Sequence, residues 1–536
     1  MKSLRALGIA LVLVATGSAA SCGADFSDAE KGGLADDSGA NGTSSGGNAN
    51  GGGGAGELPP EEELESNYSA PVATGTFVWI ANPTSGRVAY INAATLEIRI
   101  VEAGNAPTYV AAVPDADEDV ALVLNVLSKD ATLLRAKGAD LAVQTFDVPS
   151  SGNNWSVSSN GRFAIAWTDA RRLENPDPVD GFQDITIIDL QNNTTEALTV
   201  GYRPVAIGFD QNTQRAFAVT QDGITVIELD GATPVVAKNI KLTDQPTSDV
   251  TTRDVEITPD GSLALVRVEG EPFVGIVSLA TGARTDAVLP GIVTDLDLSS
   301  DGKVAVAVVR ETGQVALLPV PGIFSNPLGF SLVQMDNAVV GSASLAKNSP
   351  LAFLYTNAVP SSVLAVIDSS LAQPSVKNIQ LWAPIQAVFP TDDASHALVL
   401  HSTEMVANSQ YKAAMSVVPI ALDLPAKLQG FDAPVASVAL SPTGHRALVA
   451  TGDATSSSFK MYVASMPSLQ IQSYALASQP ISAGIAAGAN RGFVAQKHPD
   501  GRITFVDFNT GEVRTLTGFE LASQVVDGSG EGTGTP

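Results

Sequence analysis

The sequence predicts an all-β body built from a repeated unit of four short strands, preceded by a polar segment expected to stay unfolded. Three observations lead there. A strand–turn–strand pattern returns every 41 to 51 residues through most of the chain. Val, Ile, Thr and Gly crowd the same region while long runs of helical period are scarce, a balance that favours strands. Hydrophobic residues make up 44% of the chain, and most lie in the repeats, so the body can bury a large core.

The elements can be justified in order. Lys2 and Arg5 precede Ala6–Ala15, an apolar run of ten residues. A stable membrane-spanning helix needs roughly 20 residues, whereas a run of this length suits the apolar part of a signal peptide. Small residues follow, then Cys22, the only cysteine in 536 residues. The stretch Ala19-Ala20-Ser21-Cys22 resembles the lipobox of bacterial lipoproteins, although Ala19 stands where Leu is usual. That resemblance implies cleavage after residue 21 and a lipid on Cys22, whose acyl chains would hold the protein at a membrane. The plainer alternative is ordinary cleavage after Ala20. Gly23 carries no retention signal of the Asp type, so the outer membrane is the default location.

Residues 22–70 read as a disordered tether. Ten acids stand against one lysine after Cys22, and GGNANGGGGAG occupies 46–56. Such a composition buries too little apolar surface to offset the entropy of ordering it. Residues 71–526 form the folded body and 527–536 a second disordered tail.

Within the body, RDVEITPDGSLALVRV from 253 and TDLDLSSDGKVAVAVV from 294 show the repeat most plainly. Each reads strand, Asp-Gly turn, strand, and Gly supplies the positive φ such a turn needs. Related turns fall near Asp115, Asn160, Asn212, Asn348, Asp392, Thr443 and Asn490. Residues 77–101 look like the last three strands of a unit lacking its first. Phe519–Val526 looks like a first strand lacking its unit, and pairing the two would close a ring and remove exposed strand edges.

Counted this way there are ten units, each the size of a propeller blade, against a usual four to eight. A single large ring is the preferred architecture, because no linker interrupts 76–526. Two propellers sharing the chain are the alternative. The segments ITPDG (257–261), LSSDG (298–302), LSPTG (440–444), ITIIDLQNN (185–193) and ITFVDFNTG (503–511) resemble the YVTN-type, WD40-like repeats of exported bacterial β-propellers. The resemblance covers most of the body and implies an architecture, not a function.

The net charge of −26 argues against nucleic acid as a partner and against adhesion to anionic lipid. With one cysteine no disulfide can form within the chain. Two candidate sites follow from the blade geometry. The loops between second and third strands share a face with the blade-to-blade connections, and two of them are long, 169–184 and 402–413. Long loops in compact domains are often functional, which nominates Arg171, Arg172, Asp177, Asp180 and Tyr411 for a partner surface. Solvated loops without a role are the plainer alternative. The second candidate is on innermost strands, where Asp254 and Glu256 in one unit and Asp295 and Asp297 in the next replace the small residues of other units. Four acids near the axis would suit a hard cation such as Ca²⁺, or would be acids solvated in a water-filled channel with Arg253 compensating. Trp79, Trp155, Trp167 and Trp382 read as packing residues, with a sugar-binding platform as the alternative. His396 and His401 fall on opposite faces of one strand and cannot chelate together.

These features predict a lipid-anchored envelope module that binds or scaffolds a protein, peptide or glycan. The alternative is a propeller hydrolase or lactonase with an acidic, cation-dependent site near the channel.

Overall fold

The computed structural model describes residues 71–527, apart from positions 84, 115–117, 139, 174, 244–252, 404–405, 407–408, 421–423, 499–500 and 519–523. The expected signal peptide, Cys22, the expected tether, the turn near Asp115 and the tail from 528 lie outside the described residues. Ten antiparallel sheets follow one another along the chain, nine of four strands and one of five. They form ten blades in a ring, numbered here 1 to 10 in chain order.

Blade 1 spans 72–102, blade 2 107–147, blade 3 154–199, blade 4 204–241 and blade 5 253–288. Blade 6 spans 295–334, blade 7 342–380, blade 8 385–431, blade 9 435–476 and blade 10 480–527. Within each blade neighbouring strands are consecutive in sequence. The middle strands are nearly all buried, as in Phe163–Trp167 and Ala413–Pro419. The outer strand is mostly open to solvent, as in Thr194–Thr199.

One ring, and not two, follows from where the core lies. There are ten apolar clusters, and each joins two neighbouring blades. The tenth cluster packs Ala73, Val78 and Ile91 of blade 1 against Phe493, Ile503 and Phe505 of blade 10. Arg491 reinforces that seam by donating from Nη1 to the Ala93 carbonyl at 3.0 Å. A sheet with one buried face would need only one partner. These blades bury both faces, so every blade needs two neighbours and the ring must close.

Ring closure differs from the expectation. Blade 1 carries its own innermost strand, Val72–Ala73, paired with Trp79 and Val78. The C-terminal strand Gln524–Asp527 does not complete blade 1. It pairs with Val513–Thr517 as a fifth, outer strand of blade 10. A two-residue strand has too little pattern to be seen in sequence, and the apolar C-terminal stretch invited the wrong partner.

The recurrent Ser/Thr-x-Asp/Asn-Gly turns have a shared chemistry. In blade 5 the Thr258 hydroxyl accepts from Leu263 N at 3.0 Å, and Asp260 Oδ1 accepts from Ser262 N at 3.0 Å. Ser158, Ser299, Thr391 and Ser441 accept in the same way from the residue five positions on. The fourth position has positive φ. Gly161 adopts +65°, and a Cβ there would lie 2.2 Å from the Pro114 carbonyl of the preceding blade. Thr213 and Ala394 hold the equivalent conformation without glycine, at +55° and +54°. Among the described residues no helix is long and apolar enough to cross a membrane.

Candidate functional site

The acidic candidate on blades 5 and 6 is placed first. Asp254 is directly opposite Arg267 across the first two strands of blade 5. The Arg267 guanidinium bonds its Oδ2 through Nε and reaches the Val293 carbonyl, on the approach to blade 6, at 3.2 Å through Nη1. Asp295 Oδ2 accepts from the backbone N of Ala343 on blade 7 at 2.6 Å. Ser437 makes the equivalent bond from blade 9, to Ala483 N of blade 10, at 2.8 Å. These side chains therefore fasten one blade to the next.

That placement corrects the picture of acids solvated in a water-filled channel. Asp254, Glu256, Asp295 and Asp297 are each no more than 6% exposed. Asp254 serves the seam between blades 5 and 6, and Asp295 the seam between blades 6 and 7. Among the described residues no group of three or more His, Cys, Asp or Glu is placed to hold a metal ion. The calcium expectation therefore has no ligand cluster there. The sequence could show that acids recur at one strand position, but not that this position faces a neighbouring blade's backbone.

The loop 169–184 of blade 3 is built rather than loose. Asp169, 2% exposed, caps a short 3₁₀ turn by accepting from Arg171 N at 3.0 Å. The Arg171 guanidinium grips the same carboxylate through Nε and Nη2, at 2.9 and 2.7 Å, and also reaches the Val205 carbonyl of blade 4. Arg172 donates to the Asn153 carbonyl at 3.4 Å. Asp177 and Asp180 lend backbone carbonyls to Arg203, at 2.6 and 2.9 Å, while Tyr202 donates to the Pro178 carbonyl. The loop thus arches onto the entry to blade 4, with Val179 exposed at its tip.

Tyr411 belongs to a different place. Blades 3 and 8 are five apart in a ring of ten, so the two long loops share a face and stand on opposite sides of it. The arrangement does not unite Arg171, Arg172, Asp177 and Asp180 with Tyr411 in one site. Around Tyr411 there is a recess of about 480 Å³ lined by Thr403, Val406, Ser409, Tyr411, Lys412, Pro434 and Asp453. It lies between the second-to-third-strand loops of blades 8 and 9.

Local sequence explains how Tyr411 is held. Gly430 is opposite Ala414, on the outer strand. A Cβ on Gly430 would meet three atoms of the Tyr411 ring at 2.5 to 2.6 Å, so only glycine lets the ring lie flat across that strand. The Tyr411 carbonyl accepts from Thr403 Oγ1 at 2.7 Å and from Ser409 Oγ at 3.1 Å. Asp453 Oδ1 accepts from Ser456 Oγ, Thr455 Oγ1 and Thr455 N. The Ser456 hydroxyl, the largest contributor, helps hold its pKa below the ordinary carboxylate value.

Trp382, in the connection entering blade 8, was expected to pack and does not. Its ring meets Tyr411 edge-on at 6.3 Å and is 42% exposed. The other three tryptophans are buried and donate their indole N–H within the fold, to Thr74 Oγ1, the Tyr109 carbonyl and Ser156 Oγ. Trp382 makes no such bond among the described residues. Only its position in a connection, next to Ala383-Pro384 and away from any strand, could have signalled this.

His401 lies beneath that connection. Its Nδ1–H donates to the Ala383 carbonyl at 3.0 Å, which leaves Nε2 to accept from the Ser416 hydroxyl at 2.7 Å. Burial pushes its pKa down to about 4, against weaker opposing bonds to Ala383 and Pro384.

No family model matches the chain, and no curated protein matches it. Among solved structures, a dihydro-heme d1 dehydrogenase NirN in complex with DHE is similar at 13% identity. It covers 70% of this chain and 76% of its own, with a TM-score of 0.41. A eukaryotic initiation factor is similar at 13% identity over 74% of this chain and 96% of its own, with a TM-score of 0.47. The structure of U3-55K is similar at 11% identity over 58% of this chain and 94% of its own, with a TM-score of 0.33. None of the three bears on what this chain binds.

Proposed function

We propose that the protein is an envelope-tethered binding module, anchored through Cys22 and presenting the face that carries the long loops. The single observation that carries this reading is the exposed Trp382 ring against Tyr411, which lines the polar recess. A large aromatic ring left 42% exposed beside a second ring, with its N–H unspent inside the fold, is what a ligand site requires and packing does not. Asp254 and Asp295 have structural work between blades, and no chemistry is assigned to the acids of blades 5 and 6. A YVTN-type repeat and an outer-membrane address fit the same reading, the acidic tether serving to stand the ring off the bilayer.

The test is photo-crosslinking in the intact envelope, with the crosslinker placed at Gln410 in one strain and at Val179 in another. A reproducible adduct from position 410, lost on Trp382→Ala, is the expected result. Adducts from position 179 alone would move the binding surface to blade 3. No adduct from either, with the protein folded and exported, would refute a binding role for this face. Labelling with a lipid precursor, lost on Cys22→Ser, tests the anchor separately.

A further inference from the structure

We propose that the recess beside Tyr411 takes a neutral saccharide, with a sugar ring laid against the Trp382–Tyr411 pair. The inference rests on the binding role just proposed and names its ligand class. Three observations select that chemistry.

The first is charge. Lys412 is exposed and forms no ion pair among the described residues, and Asp453 is ionised on the same wall. Among the described lining residues one cation stands with one anion, so neither sign of charge dominates. An anionic ligand would meet Asp453 and a cationic one Lys412, and like charges brought together are a strong basis for rejection.

The second is the balance of hydrogen-bonding groups. Thr403 and Ser409 have both spent their hydroxyl protons on the Tyr411 carbonyl. What they offer a ligand is lone pairs. Asp453 has its Oδ1 occupied three times over, which leaves Oδ2 to accept. The donors on the same wall are the Lys412 ammonium and the Tyr411 hydroxyl, with the Trp382 indole N–H beside it, so the recess offers both acceptors and donors. A ligand matching that wall must both donate and accept several hydrogen bonds, as a sugar's hydroxyls do.

The third is the rim. Tyr411 is pinned flat by Gly430 on one side, and Trp382 stands edge-on to it. A pyranose presents C–H groups on one face and hydroxyls around its edge. It can cover an aromatic ring while its hydroxyls meet Asp453 and Lys412. At about 480 Å³ the recess is within the range of small-molecule sites.

The experiment uses the detergent-solubilised full chain. Probes are neutral trisaccharides built from glucose, from galactose and from N-acetylglucosamine, with diglycine as a zwitterion and a sulfated trisaccharide as an anion. Binding is read by calorimetry and by tryptophan emission, to which Trp382 contributes the most exposed of four indoles. One neutral trisaccharide should bind and shift the emission. Trp382→Ala and Tyr411→Ala should each weaken it about tenfold or more, the size of one good contact. Asp453→Asn should weaken it about tenfold, while Lys303→Ala, on the opposite face, changes nothing. Preferential binding of diglycine or of the sulfated probe would overturn the saccharide assignment and leave the binding role standing. So would a crosslinked partner at position 410 with no probe bound. Absence of both probe and partner would remove the assignment and the binding role together.

Discussion

Acid should weaken this fold through one histidine, and the size of the effect can be worked out. His401 is 1% exposed, neutral, and bonded at both ring nitrogens. Burial disfavours its charged form, so its pKa falls from 6.5 to about 4 in the folded protein. The unfolded chain binds the proton near pH 6.5 and the folded chain only near 4. Above pH 6.5 both states are neutral and the group has no effect. Between 6.5 and 4 the unfolded state takes up more protons, so stability falls as pH falls, by about 3 kcal/mol in full. About 2 kcal/mol of that is reached at pH 5. The assay is urea unfolding at pH 7 and pH 5 for the wild type and His401→Gln, with the imidazole titrated by NMR in ¹³C-histidine-labelled protein. Only four histidines are present, and the variant assigns the signal. The difference between the two pH values should shrink by about 2 kcal/mol in the variant. An unchanged difference, or a His401 signal titrating near 6.5, would refute the reasoning.

Other predictions follow from the seams and edges of the ring. Asp254→Asn should destabilise by about 3 kcal/mol, because it removes the carboxylate from a buried ion pair with Arg267; a gain in stability on denaturation would restore the picture of acids merely crowded in a channel. Gly488→Ala would set a Cβ 2.0 Å from the Gly75 carbonyl across the closing seam, and thermal melting should show a loss of about 1–3 kcal/mol. Ending the chain at Gly518 should leave a folded ring with near-native circular dichroism, since Gln524–Asp527 adds outside blade 10; loss of the fold would mean that the C-terminal strand closes the ring after all. Ala394→Gly should stabilise by up to about 1 kcal/mol, because a left-handed conformation strains alanine and not glycine.

The repeat was legible because it is local. Thr258, Asp260 and Gly261 specify their turn through bonds to residues two to five positions away, and buried middle strands such as Val304–Val309 must be apolar whatever lies beyond them. The number of blades followed from counting those turns. The partners of the ends were not legible, since Val72–Ala73 is too short to carry a pattern and any apolar segment matches an open edge equally well.

The candidate site was half legible. Loop length pointed to 402–413 and to Tyr411, but Trp382 was taken for a core residue, because a tryptophan's composition is the same in either role. Which way a side chain faces depends on what the ring brings beside it. Asp254 and Asp295 show the same limit: their repetition is written in the chain, while the Arg267 guanidinium and the Ala343 backbone N that hold them arrive only on folding. By itself, then, the sequence determined the strands, the turns and their tenfold recurrence, because hydrophobic period and turn chemistry act over a few residues. The closure of the ring, the burial of the acids and the exposure of Trp382 were decided by the tertiary structure, because each depends on contacts between blades that the chain order does not encode.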